Sequence, residues 1–332
     1  MTALVGNLHP EFRAFWHPVG WSYEVAAAPV AVMLLGQPMV VVRHPDGGVA
    51  AFFDECPHRG APLSLGKLDG EELVCAYHGW RFAADGSASC IPSLGADALI
   101  PSRARLTGPD GVCERYGIVW IALEPPRVSI PLWPDGDDES LGEFAPTSHI
   151  SEVLAAYQTD NLLDASHFPF LHGSLSTRNP VIGDQETIDQ HDLGFSTVQR
   201  KLADDNVGTE GWLRYTLVAP FTVLLRSEEP DGHLRQSFFQ AIQPIDDRHT
   251  RLFFLVRVPE TDPGELSELL AQEEVVQKED LWITAALRRT GMPLAADLHV
   301  RSADLHVRTD GNAILYRRVM RRVFEGAASS AR

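Results

Sequence analysis

Short apolar runs rich in β-branched and aromatic residues alternate with turn residues over the first 125 positions of the chain. Runs of this kind, bounded by glycine, proline and aspartate, are typical of β-strands joined by tight turns. The runs are MVVVRH (39–44), VAAFF (49–53) and GIVWIAL (117–123), with turn signals at 45–48, 69–70 and 85–86. The pattern predicts an all-β domain over residues 1–125.

The pattern changes after a cluster of four prolines between positions 125 and 134, which is followed by the acidic segment 135–140. Such a segment predicts a domain boundary. Beyond it, we expect helix in the second half of 151–168, strands at 212–218, 234–242 and 251–258, and helices at about 263–289 and 312–324. An antiparallel sheet covered by a long helix predicts an α+β domain over 126–332.

Composition narrows the possible classes of function. The 332-residue chain carries a net charge of −17, which argues against a nucleic-acid partner and against an anionic membrane surface. The N-terminus has no basic segment before an apolar run, and no apolar run is long enough to span a membrane. Four cysteines are too few for a disulfide scaffold, so a reducing cytoplasm is expected.

Two short loops in the predicted β domain each carry one cysteine and one histidine, at Cys56-Pro57-His58 and Cys75-Ala76-Tyr77-His78. Zinc sites usually pair Cys with Cys and His with His. One of each per loop instead suits a [2Fe–2S] cluster with two thiolates on one iron and two imidazoles on the other. The alternative is two packed thiols and two surface histidines. Cys90 and Cys113 have no such neighbour, and we interpret them as ordinary buried thiols.

A second group of candidate metal ligands lies at Asp164, His167 and His172. On a helix, Asp164 and His167 would share a face. Pro169 cannot lie in a regular helix interior, so a break there could turn His172 towards His167. Both histidines could instead be satisfied core residues.

The third ligand of such a site should be a distant carboxylate. On the helix predicted at 263–289, a buried stripe of positions 269, 273, 276, 280, 283 and 287 contains two acids, Glu273 and Asp280. A buried unpaired carboxylate is costly, so we expect a metal at Asp280, with Glu273 as the competing acid and an ion pair as the alternative. Two histidines and one carboxylate form the triad of non-haem Fe(II) oxygenases, which leaves coordination positions open.

The segment CPHRGAPLSLGKLDGEELVCAYHGWRF (56–82) resembles the cluster motif of the Rieske non-haem iron oxygenases. Residues 160–172 and 278–280 resemble the iron-binding motifs of the same family. The chain is similar to the oxygenase (alpha) components of the compact group that includes vanillate O-demethylase and dicamba monooxygenase. The resemblance implies that one cluster iron is bound by Cys56 and Cys75, the other by His58 and His78, and a mononuclear Fe(II) by His167, His172 and Asp280.

The resemblance also implies a helix-grip (START/Bet v 1-like) catalytic domain and a head-to-tail homotrimer. In that trimer Asp164 would link His167 to a cluster histidine, His78, of the neighbouring chain, and so carry electrons between subunits. The electrons would come from NAD(P)H through a separate reductase, with or without a ferredoxin.

The expected reaction is the hydroxylation or O-demethylation of a small aromatic molecule with O₂. The alternatives are cis-dihydroxylation of an aromatic ring, a Rieske electron carrier with an inactive second domain, and a helix-grip lipid or sterol binder without metals. The sequence does not name the substrate. Strand phase and neighbourhood in the chain suggest four pocket residues, Asn161, Phe239, Gln240 and Phe253.

Overall fold

The protein was analysed as a computed structural model, which describes residues 4–95, 98–143, 147–172, 182–201, 210–259, 263–287, 291–294 and 304–330. Two compact units form, one from Arg13–Ser129 and one from Met1–Phe12 together with Ile130–Arg332. The N-terminal segment groups with the second unit because strand β1 (Leu4–Val5) pairs with Met292–Pro293. The domain boundaries expected from the sequence, 1–125 and 126–332, stay a prediction.

The unit Arg13–Ser129 consists of β-strands and short 3₁₀ turns, as predicted. Its strands are β2 (His17–Trp21), β3 (Val30–Leu34), β4 (Gln37–Arg43), β5 (Val49–Phe53), β6 (Lys67–Asp69), β7 (Glu72–Val74), β8 (Arg81–Phe82), β9 (Ala88–Cys90), β10 (Gly111–Arg115) and β11 (Ile118–Ala122). They form three antiparallel sheets with the orders β10-β11-β2, β3-β4-β5 and β6-β7-β8-β9. The three predicted runs correspond to β4, β5 and β11.

Strand β4 lies between two apolar clusters, because successive side chains of a strand point to opposite faces. Met39 and Val41 pack into one cluster with residues of β2 and β11. Val40 and Val42 pack into the other, which also contains Cys56 and Cys75. The two cysteines are therefore fixed to the core of this unit.

The described residues of the second unit form one large sheet and four α-helices, besides the short pairing of β1. Its remaining elements are β12 (Gly142–Glu143), β13 (Thr147–Ser151), α1 (Ala155–Leu162), α2 (Phe168–Leu171), β14 (Ile182–His191), β15 (Gly194–Lys201), β16 (Gly211–Val218), β17 (Thr222–Glu228), β18 (Leu234–Pro244), β19 (Thr250–Val258), α3 (Pro263–Ala285), β20 (Met292–Pro293) and α4 (Gly311–Ser330). The sheet has eight strands in the order β12-β19-β18-β17-β16-β15-β14, and β13 also pairs with β19.

The observed elements confirm the α+β prediction and extend it. The three predicted strands are β16, β18 and β19, and the long predicted helix is α3. Strands β14, β15 and β17 were not predicted, because their many polar residues, as in IGDQETIDQH of β14, give no clear apolar alternation. Among the helices of the described residues, none is long and apolar enough to cross a membrane.

A buried arginine joins helices α1 and α4. Arg317 is 1% exposed, and its guanidinium donates to both carboxylate oxygens of Asp160 at 2.9 and 3.0 Å. It also donates to Asp304 at 2.9 Å. Breaking one side of a buried ion pair leaves an uncompensated charge, so this contact fixes α1 against α4.

We predict that Arg317→Met lowers the free energy of unfolding by roughly 3 kcal/mol, because Asp160 and Asp304 lose their shared partner. Urea denaturation followed by circular dichroism measures the change. The matched control is Arg318→Met, which makes the same substitution one position away at an exposed residue. Equal effects of the two substitutions would contradict the prediction.

Candidate active site

The two candidate histidines lie at the two ends of the short helix α2, which follows α1 after a turn. Helix α1 ends at Leu162, and the Asp164 carboxylate then accepts a hydrogen bond from the Ser166 backbone N–H at 2.9 Å. This local turn replaces the helix that we expected from Asp164 to His167. Pro169 lies in the first turn of α2, where its missing N–H has no helical partner to lose, and His172 follows the last turn.

Three potential ligand atoms converge at this place. The Nε2 atoms of His167 and His172 are 3.2 Å apart, and Asp280 Oδ1 lies 3.3 Å from each of them. Within the described residues, this is the one group of three or more His, Cys, Asp or Glu side chains that could surround a metal ion. Helix α3 thus supplies the distant carboxylate, and Asp280 rather than Glu273 meets the two histidines.

The donor set fits a divalent iron. Asp280 Oδ1 is buried, yet in the described part of the chain it has no hydrogen-bond partner of good geometry. A buried carboxylate oxygen in that state is costly unless a cation compensates it. Two imidazole nitrogens and one carboxylate, with the remaining positions open, are the ligands of non-haem Fe(II) oxygenases.

Each histidine has a carboxylate on its outer nitrogen. His167 Nδ1 lies 3.0 Å from Asp164 Oδ2, and His172 Nδ1 lies 3.0 Å from Glu279 Oε2. A carboxylate at this position fixes the ring and the tautomer whose Nε2 faces the metal. Glu279 was not predicted in this role, although its place beside Asp280 puts it on the adjacent side of the same helix.

The charges of the site are mutually dependent. Burial alone would lower the pKa of His167, but the hydrogen bond to Asp164 and the adjacent Asp280 carboxylate raise it to about 9. At His172, burial alone would also lower the pKa, but contacts with Asp280 and Glu279 raise it. Burial would raise the pKa of Asp280, but the two imidazoles lower it to about 2. A metal ion that binds here must displace an imidazole proton.

Helix α3 buries a more polar face than the expected stripe. Ile283 is only partly buried and Leu287 is 43% exposed, since α3 ends at Ala285, before the last position of that stripe. The side chain of residue 269, the first position of the stripe, is not among those that the structure describes. Among the side chains of α3 that the structure describes, the buried ones are Glu273, Val276, Gln277, Asp280 and Thr284. Such a row of acid and amide groups is expected where a helix faces a ligand.

A cavity of about 120 Å³ opens beside the triad, between α3 and the large sheet. This volume is comparable with the ~150 Å³ of an apolar cavity that holds one benzene ring. Its apolar walls include Phe168, Leu213, Leu225, Phe238, Leu252, Phe254 and Val276, and its polar groups include Asn161, Lys201, Ser227, Gln236, Gln240, Glu273 and Gln277.

Two of the four suggested pocket residues line this cavity and two do not. Asn161 and Gln240 line it, whereas the prediction for Phe239 and Phe253 is wrong. Both phenylalanines are fully buried on the opposite face of the sheet, where Phe239 packs against Trp133 and Phe253 lies under Arg251. A strand turns alternate residues to opposite faces, so an error of one position exchanges them for Phe238 and Phe254.

The two Cys–His loops of the first unit have matching backbone geometry. The Cys56 N–H donates to Ala61 O at 2.9 Å, and the Cys75 N–H donates to Trp80 O at 2.9 Å. Gly60 and Gly79 close the loops onto the cysteine carbonyls with φ of 70° and 68°, a conformation that glycine adopts without strain.

The side chains of these loops form two pairs. Cys56 and Cys75 are buried, and burial raises the pKa of Cys56 to about 11, although backbone N–H groups of residues 58 and 59 donate to its sulfur. The exposed rings of His58 and His78 have centroids 4.5 Å apart, and Trp80 stacks on His58 at 4.7 Å.

In the described structure, the ligand atoms of these four side chains do not converge on one point where a single zinc ion could bind. This argues against the zinc alternative. Paired thiols beside paired imidazoles fit the two irons of a Rieske cluster. Cys90 and Cys113 are free thiols, and they are partly rather than fully buried.

An all-β unit with mirrored Cys–His loops, followed by an α+β unit with a His₂–carboxylate group, defines the class of Rieske-type non-haem iron oxygenases. Residues 15–104 match the Rieske [2Fe-2S] domain family. Residues 154–326, more than half of the chain, match the vanillate O-demethylase oxygenase C-terminal domain family. The chain belongs to this family, and its cofactors are a Rieske cluster and a mononuclear iron.

The sequence and structure comparisons with known proteins extend over nearly the whole chain. The methylxanthine N1-demethylase NdmA of Pseudomonas putida is 29% identical, over 84% of this chain and 82% of that protein. A structure of an NdmA QL mutant with caffeine is 26% identical with a TM-score of 0.82, covering 97% and 94% of the two chains. Dicamba monooxygenase bound to dicamba has a TM-score of 0.77 at 20% identity, over 98% and 100%, a likeness in fold alone.

We predict that Asp280→Asn weakens iron binding by more than about tenfold, because the amide removes the one charged ligand atom of the triad. Glu273→Gln makes the same acid-to-amide change on the same buried face and should leave the iron bound. The ratio of iron to acid-labile sulfide measures the outcome: loss of the mononuclear ion changes it from three per two to two per two. Loss of iron from Glu273→Gln instead would identify the other acid as the ligand.

Proposed function

We propose that this chain is the terminal oxygenase of a demethylase or hydroxylase that acts on a small, single-ring aromatic or heteroaromatic substrate. The observation that carries the proposal is the His167–His172–Asp280 group at the wall of a ring-sized cavity. The relatives support it, since the similar proteins include an N1-demethylase and the oxygenase subunit of a tert-butanol monooxygenase.

In this proposal each metal group has its own set of residues. Cys56, Cys75, His58 and His78 hold the [2Fe–2S] cluster, and His167, His172 and Asp280 hold Fe(II). When bound, the iron supplies the activation of O₂. The balance for a methyl substrate is R–CH₃ + O₂ + 2e⁻ + 2H⁺ → R–CH₂OH + H₂O, and where R ends in nitrogen or oxygen the product collapses to R–H and formaldehyde.

The surrounding residues orient the histidines and exclude water. Asp164 and Glu279 hold the outer nitrogens of His167 and His172, so that both Nε2 atoms stay directed at the metal position. The apolar walls from the sheet and from Phe168 hold the ring of the substrate and keep the site dry.

Two other functions fit less well. Cis-dihydroxylation uses the same ligands, and one relative is a 3-chlorobenzoate-3,4-dioxygenase subunit, but a methyl-removing or monooxygenating reaction agrees with more of the similar proteins. An electron carrier with an inactive second domain would not need the converging ligand atoms at His167, His172 and Asp280.

Oxygenase components of this family work with a reductase or ferredoxin, and we propose that NAD(P)H is the ultimate electron source. We place the enzyme in the cytoplasm, where that nicotinamide pool is available. We also propose a homotrimer with heterologous, closing interfaces, in which electrons pass from His78 of one chain through Asp164 of the next to His167.

Reciprocal substitutions in the two metal groups test the assignment. Cys75→Ala should abolish the Rieske-type EPR signal of the reduced protein, because the cluster loses a thiolate, and should retain the mononuclear iron. His167→Ala should do the reverse. Both variants should lose O₂ uptake coupled to formaldehyde release, measured with reductase and a panel of ring methyl ethers and N-methyl compounds. Turnover by His167→Ala would contradict the proposed role of the triad.

The bridge is tested by Asp164→Asn, which should leave both metal groups occupied and reduce steady-state turnover by more than about a hundredfold. The amide removes one acceptor and the charge between the two imidazoles.

Co-assembly with Cys75→Ala chains should restore part of the activity, because mixed trimers regain an interface with an intact cluster beside an intact Asp164. Mixed trimers, isolated by two affinity tags, that show no recovery would contradict transfer between subunits.

A further inference from the structure

Two buried side chains with hydrogen-bond acceptors line the cavity, and one of them lacks a partner. Gln240 is 7% exposed and lines the cavity, and its Oε1 has no hydrogen-bond partner in the described part of the chain. Glu273 is 8% exposed and lines the same cavity. Buried acceptors are nearly always satisfied in native proteins, so a ligand is expected to provide the missing donors.

The surroundings of Glu273 compensate the charge of its buried carboxylate only in part. Burial raises the pKa of the Glu273 carboxyl to about 7, since the charge of His172 and a hydrogen bond from Gln236 oppose the rise only in part, and the charge of Asp280 adds to it. A carboxylate in this position gains from a further donor, because hydrogen bonds to charged groups stabilise by about 1.5–3 kcal/mol.

The position of Glu273 relative to the triad sets the geometry of a ligand. Glu273 and Asp280 are seven residues apart on α3, which is about two helical turns or 10 Å along the axis. Both side chains line one cavity, so a ring between them meets the metal group at one end and Glu273 at the other. Phe238 and Phe254, with ring centroids 5.5 Å apart, form an apolar wall along the way.

We propose that Glu273 and Gln240 are the specificity-determining residues of the site and recognise an N–H or O–H donor on the ring of the substrate, opposite the group that is oxidised. The inference rests on the proposed function, because the oxidised group is placed at the triad. It adds the substrate class, a ring that still carries a phenolic hydroxyl or a ring N–H.

The proposal predicts which compounds the cavity rejects. A ring whose donor has been replaced by a methyl group leaves Gln240 Oε1 unpaired and gives Glu273 no further donor, and a site built for a hydrogen bond discriminates strongly against such an analogue. A ring carboxylate at that end would meet the Glu273 carboxylate and be repelled. Lys201 also lines the cavity, and recognition of an acidic substrate through Lys201 is the competing possibility.

Binding of matched probes to the iron-loaded protein tests the proposal without turnover. The probes are 4-methoxyphenol against 1,4-dimethoxybenzene, 1-methyluracil against 1,3-dimethyluracil, and 4-methoxybenzoate as the anion. Titration calorimetry under argon at pH 8, where the Glu273 carboxyl is ionised, should show at least about tenfold tighter binding for the donor of each pair. The phenol pair and the uracil pair distinguish an O–H from an N–H substrate.

Three variants distinguish the effect of the Glu273 acceptor on binding from the effect of cavity shape. Glu273→Leu should remove the preference for donors, and Glu273→Gln, which keeps one acceptor oxygen, should retain part of it. Gln277→Leu is the matched control, because its amide lines the same cavity but its Oε1 already accepts from Thr147 at 3.3 Å. It should change the preference by less than about threefold.

The outcomes separate this inference from the proposed function. Equal binding of both members of each pair, a preference for 4-methoxybenzoate, an unchanged preference in Glu273→Leu, or no binding of any probe would overturn the acceptor pair. If the donors bind with the expected preference but release no formaldehyde with reductase and O₂, the inference stands and demethylation is wrong.

Discussion

The second unit depends on the compensation of buried carboxylates. Asp280 lies between two imidazoles, and each of these imidazoles contacts a second carboxylate through its other nitrogen. In this alternation of acid and imidazole, a bound cation would neutralise the excess of negative charge at the centre. The arrangement explains how two histidines at the two ends of the short helix α2 can be held close together.

The ligand segment is fixed by groups that never touch the metal position. Arg317 holds Asp160 near the end of α1, and the buried Asn312 donates to Leu163 O at 2.9 Å while it accepts from Thr197 on the sheet. The backbone just before Asp164 is therefore attached to α4 and to β15. A metal site needs its ligands within about half an ångström of their working positions, and such outer contacts provide that precision.

Sequence reasoning identified candidate ligands where the signal is local, and it failed where the answer depends on packing. Cys56, His58, Cys75 and His78 were recognisable because the spacing within each short loop is itself the signal. The preference for Asp280 kept Glu273 as a competing acid, since both acids lie on one face of α3. Phe239 and Phe253 were misplaced because strand phase has a period of two, and no local feature marks which phase faces the cavity. Glu279 was visible only as a charge beside Asp280 until the fold placed it against His172.

The polar face of α3 explains how one helix can serve two purposes. Asp280 and Glu273 are both buried acids on this face, but only Asp280 has imidazoles close enough to hold its pKa low, and Glu273 keeps a raised pKa. A bound metal would compensate the first acid, whereas the second gains a further donor only when a ligand enters the cavity. The same helix face thus binds the metal at one end and discriminates among substrates at the other, and the two turns between the acids set the length of the molecule that fits.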